Sequence, residues 1–157
     1  MTFFEYIENL AKENPDVKHI PDTDIHFISS EAEKHTSLDS VLKYPGIILD
    51  RGDGFKYGGS AGAYTKNKDY VLFVVEHVED TSNYAKINAA LDKCESICDY
   101  IVNQIASDKR KPEYRTLLGS ISIEGIQGEY VQNYDKQEYG VVVTISVEPP
   151  YKGINCK

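Results

Sequence analysis

Residues 22–26, with the sequence DTDIH, place two carboxylates and an imidazole at alternate positions. In a β-strand, Asp22, Asp24 and His26 would share one face, and these side chains are common ligands of divalent metals. The same alternation is also typical of a solvated strand face. Because the sequence shows no further cluster of ligands around this segment, we favour the solvated face and expect no metal or other cofactor.

Two cysteines four residues apart, Cys94 and Cys98, raise the question of a metal or redox site. They fall on one side of a predicted helix, and that side carries its apolar stripe. No second pair of cysteine or histidine residues has the spacing of zinc ligands, so we expect buried thiols. The chain also lacks a Gly-x-Ser-x-Gly motif, and a carboxylate pair such as Glu76 and Glu79 is common in any acidic protein. The sequence therefore predicts no enzyme.

Residues 50–68, DRGDGFKYGGSAGAYTKNK, form a glycine-rich stretch between two apolar runs. The glycines match neither phosphate-binding pattern, G-x-x-x-x-G-K-[ST] or G-x-G-x-x-G, and a predicted strand follows them, so we expect no nucleotide site. The tripeptide RGD within it is too short to specify cell attachment. Two interpretations remain, a long flexible hairpin loop or an arm that contacts another subunit. The residues that would make such a subunit contact are Arg51, Asp53, Phe55, Tyr57 and Tyr64.

The composition restricts the class of protein. The 157 residues are enough for a single domain, residues 1–157, with a core of its own. A net charge of -8 disfavours specific binding to nucleic acid. No apolar run is long enough to span a membrane, the first residues do not resemble a signal peptide, and three cysteines fit a reducing compartment. We expect a soluble cytoplasmic protein without a membrane partner.

The first half of the chain predicts a short helix and a hairpin. Thr2 and Glu5 have the spacing of a capping box, and Asn14-Pro15 ends the apolar periodicity that follows them. GIILD and YVLFVVEHV predict two strands joined by the glycine-rich stretch, and the run 70–75 predicts a central strand covered on both faces. Between helix and hairpin, DIHFIS predicts a short strand, and Leu38, Val41 and Leu42 predict one or two helical turns.

The second half predicts a long helix and a second hairpin. Residues 80–83 can cap the helix, and Pro112 prevents its continuation. SISIEGIQGEY predicts a strand with a bulge near Ile126, which pairs across a turn at residues 133–137 with YGVVVTISVEP. Residues 149–157 would form a C-terminal tail. The apolar stripe of the helix is Ile87, Leu91, Cys94, Cys98, Ile101 and Ile105, and the buried face of the last strand is Val141, Val143, Ile145 and Val147.

This order predicts an α+β fold, with an antiparallel or mixed sheet of two hairpins packed against one long helix and a short N-terminal helix. The order of an amphipathic helix, YPGIILD, a glycine-rich hairpin, YVLFVVEHV, the helix NYAKINAALDKCESICDYIVNQI and a final hairpin resembles the tail-terminator and tail-completion proteins of bacteriophages and prophages. The resemblance runs from about Tyr44 to Pro149.

The resemblance implies a structural subunit that forms a ring, usually six-fold, which caps the tail tube or joins it to the connector. Its partners would be copies of itself and the neighbouring tail-tube and connector proteins. It would assemble in the bacterial host cytoplasm and reside at the virion head–tail junction, where an acidic channel lets DNA pass without binding. Two alternatives remain, a monomeric adaptor or binding domain, and a small ligand-binding enzyme with its site under the glycine-rich stretch.

Overall fold

The computed structural model describes residues 1–30, 41–60 and 63–148. These residues contain one five-stranded mixed sheet with the strand order β1-β2-β3-β5-β4. Strand β1 runs parallel to β2, and every other neighbouring pair is antiparallel. The predicted α+β class is confirmed. The strands are β1 (Phe27–Ser30), β2 (Gly46–Ser60), β3 (Ala63–His77), β4 (Gly128–Asn133) and β5 (Glu138–Val147).

Within the described ranges, three α-helices accompany the sheet: α1 (Phe3–Glu13), α2 (Tyr84–Asp108) and the short α3 (Arg115–Leu118). The predicted capping box is present, because the backbone N–H of Glu5 donates to Thr2 Oγ1 and the backbone N–H of Thr2 donates to Glu5 Oε2. Helix α1 ends at Glu13 and is followed by its C-cap Asn14, the residue before proline, as predicted. Helix α2 begins after Asn83, whose side chain accepts the backbone N–H of Lys86 at 3.2 Å.

One face of the sheet carries the main core. Helices α1 and α2 pack there, and the predicted stripe of α2 is buried with the exception of Leu91, which is half-buried. The four predicted residues of β5 are all buried on the same face. The residues of β2 and β3 that join them follow from the cross-strand register, and they are Ile47, Leu49, Tyr70, Leu72 and Val74.

The opposite face of the sheet is only partly covered by described residues. Leu42 packs there against Ile28 and Val75, and Phe73 lies at the border of this smaller cluster. Strand β3 is central, as predicted, but Val71 and Phe73 remain half-buried. We predicted that β3 is covered on both faces. The described residues cover it completely only on the face that packs against the helices.

Two predicted strands begin later than expected. The DTDIH segment forms a turn closed by an isolated bridge between Ile20 and Asp24, and β1 begins at Phe27. Residues 120–127 do not form a bulged strand, because Ile123–Gly125 is a 3₁₀ turn and β4 begins at Gly128. Both segments lie where the chain turns before it meets a strand partner. Of the predicted helical turns, Leu38 falls outside the described residues, whereas Val41 and Leu42 are described and are not helical. The predicted tail at 149–157 also falls outside the described residues.

Candidate functional site

A two-stranded ribbon continues β2 and β3 past the rest of the sheet. We define the ribbon as Phe55–Ser60 and Ala63–Lys68, which pair from Phe55↔Lys68 to Ser60↔Ala63. The pairing of β3 with β5 ends at Lys68↔Val147. Beyond that pair each strand of the ribbon has only the other strand as a described β-sheet partner. Five further residues at about 3.3 Å each give an extension of about 16 Å.

The ribbon corrects the predicted loop. A flexible loop over residues 50–68 was expected from the glycine content, but both strands continue to within two residues of each other. Cross-strand pairing between residues 3 to 13 positions apart supplies this order, and the glycine content does not report it. One glycine is still required by the backbone, because Gly59 of β2 adopts a left-handed φ of 94° beside its partner Tyr64.

The exposed surface of the ribbon combines aromatic rings with positive charge. Phe55 is 59% and Tyr57 49% exposed. Their rings meet edge to face with centroids 5.5 Å apart. The ammonium group of Lys66 lies 3.8 Å from the centroid of Phe55, a cation–π contact that holds the charge beside the rings. Residues 54–68 contain three lysines and no acidic residue, so the ribbon is a basic segment on an acidic chain.

The base of the ribbon is irregular. The regular register of β2 with β3 is interrupted between Arg51 and Phe55. The guanidinium carbon of Arg51 lies 5.3 Å from the centroid of Phe4 in α1, so this side chain packs on the body of the protein. A cavity of about 560 Å³ borders the irregular segment, and Asn67 lines it. The buried Oδ1 of Asn67 has no hydrogen-bond donor among the described residues.

A second cavity lies between α2 and the hairpin of β4 and β5. It has a volume of about 300 Å³ and an apolar floor. Glu95 and Asp99 of α2 lie at its rim, and Tyr130 of β4 donates a 2.8 Å hydrogen bond to Glu95. We call this site the acidic cavity. Its floor consists of Cys98, Val102, Ile123, Ile126, Val141 and Val143.

The five residues predicted to make subunit contacts do not form one cluster. Phe55, Tyr57 and Tyr64 lie in the ribbon, and Arg51 lies at its base against α1. Asp53 belongs to β2 between these two groups. Their role in subunit contact stays a prediction. Lys66 is not among the five predicted contact residues, although its position beside two aromatic residues could have been found by assuming that the hairpin pairs throughout.

The remaining chemical candidates have structural explanations. His26 is buried, and its Nδ1 lies 2.8 Å from the carbonyl oxygen of Pro45. Among the described residues, no group of three or more histidine, cysteine, aspartate or glutamate side chains is placed to hold a metal ion. Cys94 and Cys98 are buried free thiols, as predicted. The carboxylate of Glu76, near the end of β3, forms a 2.8 Å ion pair with Lys93 and so has a structural partner.

No helix within the described ranges combines the length and apolar character that crossing a membrane requires. Comparison with known proteins finds no matching family model and no matching curated protein. Among the described residues, the ribbon and the two cavities are the candidate sites. Their possible roles are inferred from their geometry and side chains.

Proposed function

We propose that this chain is a structural subunit of the head–tail junction of a tailed bacteriophage or prophage, where copies form a six-membered ring. The ring would cap the tail tube or join it to the connector. The observation that carries the proposal is the ribbon, which extends past the sheet and exposes aromatic and lysine side chains. The resemblance in element order to tail-terminator proteins is our reason for placing this ring in a virion.

The physical argument begins with the cost of a projecting ribbon. A two-stranded ribbon without a third strand or a packed face is only marginally stable in water. Exposed rings such as Phe55 and Tyr57 are typical of surfaces that become buried in an interface. A subunit that assembles recovers the free energy of burying these rings, whereas a permanent monomer does not.

The charge of the chain fits the same role. Its net charge of -8 would repel the phosphates of DNA that pass through a ring. The lysines of the ribbon are then available for protein contacts rather than for DNA. We propose assembly in the host cytoplasm, with tail-tube and connector proteins as neighbours and no membrane or cofactor.

The test is the mass of the assembly in solution. Native mass spectrometry from low micromolar to several hundred micromolar chain should show a closed ring, and electron microscopy should show its symmetry. A matched variant replaces residues 56–67 with Asn-Gly, which closes the hairpin at the Phe55–Lys68 pair and leaves the pairing of β3 with β5 intact. This variant should remain folded and monomeric. A wild-type chain that forms no closed ring over this range, or forms open filaments, contradicts the proposal.

One observation favours a second candidate function, a small-ligand site at the base of the ribbon. The buried Oδ1 of Asn67 in the 560 Å³ cavity lacks a donor among the described residues, and such an oxygen is satisfied when a ligand or water donates to it. Thermal unfolding with nucleotides, sugars and divalent cations tests this function. A rise in melting temperature that Asn67→Ala abolishes would favour it over the ring.

A further inference from the structure

We infer that the ribbon of one copy of this chain docks in the acidic cavity of the next copy, with Phe55 or Tyr57 entering the cavity and the lysines facing its rim. This inference rests on the ring function proposed above and specifies which two surfaces meet. The ribbon and the acidic cavity occupy different parts of the chain and have complementary chemistry.

The apolar parts of the two surfaces match. The floor of the acidic cavity is built from aliphatic side chains and Cys98, and its volume is about 300 Å³. Cavities of this size accept small ligands or single large side chains. Phe55 lies at the first pair of the ribbon and is 59% exposed. Burial of one such ring is a common anchor of a protein interface.

The charged parts match as well. Asp99 and Glu95 lie at the rim, Asp92 precedes them on the same helix, and no described residue that lines the cavity is basic. Burial, followed by the negative charges of Asp99 and Glu95, raises the pKa of Cys98 to about 11. Lys66 and Lys68 pair across the ribbon with Tyr57 and Phe55 and share their face, and residues 54–68 contain no acid, so the two potentials have opposite sign.

The ribbon cannot reach the acidic cavity of its own chain. Val143 on the cavity floor pairs with Leu72 of β3. The strand partners of Phe55 and Tyr57 lie four and six residues before Leu72 on the same strand. These separations span about 13 Å and about 20 Å, and the hydrogen-bonded pairing holds both rings away from the cavity. The contact must therefore join two copies.

A contact between two different surfaces has a consequence for symmetry. Each copy would offer one ribbon and accept one ribbon, which is a heterologous interface. Such an interface closes into a ring when the rotation between neighbours divides a full turn, and otherwise forms a filament. The inference therefore requires head-to-tail association and excludes a two-fold dimer made by two ribbons alone.

The test uses two variants that each disable one surface. Phe55→Ser, Tyr57→Ser and Lys66→Ser together remove both rings that could enter the cavity and the charge beside them, and these three side chains lie outside the core. Asp99→Lys reverses the charge at the cavity rim on an exposed position of α2. Asp135→Lys makes the same charge change in the turn between β4 and β5 and serves as the control. Native mass spectrometry and sedimentation velocity measure association, and thermal unfolding confirms that each variant is folded.

We expect the ribbon variant and the cavity variant to weaken self-association by about tenfold or more, and Asp135→Lys to leave it unchanged. The equimolar mixture of the two disabled variants is decisive. The intact ribbon of the cavity variant can still enter the intact cavity of the ribbon variant, so the mixture should form a heterodimer and nothing larger. Neither variant alone should form a dimer.

The outcomes separate this inference from the proposed function. If the wild-type chain forms a ring and both variants still form it, the ribbon–cavity contact is wrong and the ring proposal stands. If the wild-type chain forms open filaments and the mixture gives the heterodimer, the contact stands and the ring proposal is wrong. A wild-type chain that stays monomeric throughout overturns both.

Discussion

The hydroxyl group of Tyr6 in α1 donates a 2.9 Å hydrogen bond to the carboxylate of Asp108 at the end of α2. Asp108 is only 7% exposed, and the other oxygen of its carboxylate forms a 2.6 Å ion pair with the ammonium group of Lys111. Burial, and then the hydrogen bond to Asp108, raise the pKa of Tyr6, so the phenol remains a donor at every ordinary pH. This contact ties the first helix to the last turn of the long helix across the main core.

Removal of this hydroxyl group should destabilise the fold. Tyr6→Phe keeps the ring in place but leaves a buried carboxylate without one of its donors, which costs about 1–3 kcal/mol. Urea denaturation followed by circular dichroism measures the difference in the free energy of unfolding. Tyr84→Phe is the matched control, because Tyr84 is 78% exposed, and its free energy of unfolding should stay within about 0.5 kcal/mol of wild type. Equal values for the two variants would contradict the prediction.

His19 makes the stability of the fold dependent on pH. Its Nδ1 accepts the backbone N–H groups of His26 at 3.1 Å and Phe27 at 3.3 Å, at the entry to β1. Burial lowers the pKa of His19, although the carboxylate of Glu8, 3.8 Å from its Nε2, acts in the opposite direction. Protonation of Nδ1 would remove both backbone hydrogen bonds. The neutral ring therefore stabilises the native state.

The sign of the pH effect follows from linkage. In the unfolded chain His19 has a pKa near 6.5, above its folded value, so the unfolded state binds more protons as the pH falls. Its contribution is complete above pH 6.5 and is lost as the pH falls from there through the folded pKa. His19→Asn, which keeps an acceptor without the titration, should flatten the decline of the urea midpoint between about pH 7.5 and 5.5. Parallel curves for wild type and variant would refute this role.

The elements that the sequence predicted well are those specified by local spacing. Thr2 and Glu5 are three residues apart and can contact each other only when a helix begins between them. The apolar stripe of α2 repeats over many turns, and Pro112 sets the position beyond which the helix cannot continue. In both cases neighbours along the chain supply the determining contacts, so no knowledge of the tertiary structure was needed.

The elements that sequence reasoning missed depend on distant contacts. Ile121 is buried, and its carbonyl accepts a hydrogen bond from Lys109, so the chain must rise from the core to the sheet edge before β4 can pair. That path uses the 3₁₀ turn at Ile123–Gly125 instead of a bulged strand. The acidic cavity was missed for the same reason. Asp99 is visible on the helix surface, but its cavity exists only where β4 lies beside α2.

The two thiols of α2 should be protected from alkylation in the native protein. Burial raises the pKa of Cys94 to about 12 and that of Cys98 to about 11, and both side chains are inaccessible. Because the thiolate is the reactive form, labelling by iodoacetamide at pH 8 should be at least about a hundredfold slower than in urea. Peptide mapping by mass spectrometry reads each cysteine separately, with Cys156 as a further site in the same sample. Comparable native and unfolded rates at Cys94 and Cys98 would contradict their burial.

Gly140 of β5 lies directly against the backbone of β3. It pairs with Val75, and a Cβ placed on it would overlap the carbonyl oxygen of Val74 and lie 3.0 Å from Cα of Val75. Backbone atoms of a central strand cannot move aside cheaply, so Gly140→Ala should lower the free energy of unfolding by about 2–3 kcal/mol. Gly54→Ala is the control, because a Cβ there meets nothing within 4 Å, and we expect a change within about 0.5 kcal/mol. Urea midpoints of the two variants measure this difference. Equal midpoints would contradict the close packing of Gly140 against β3.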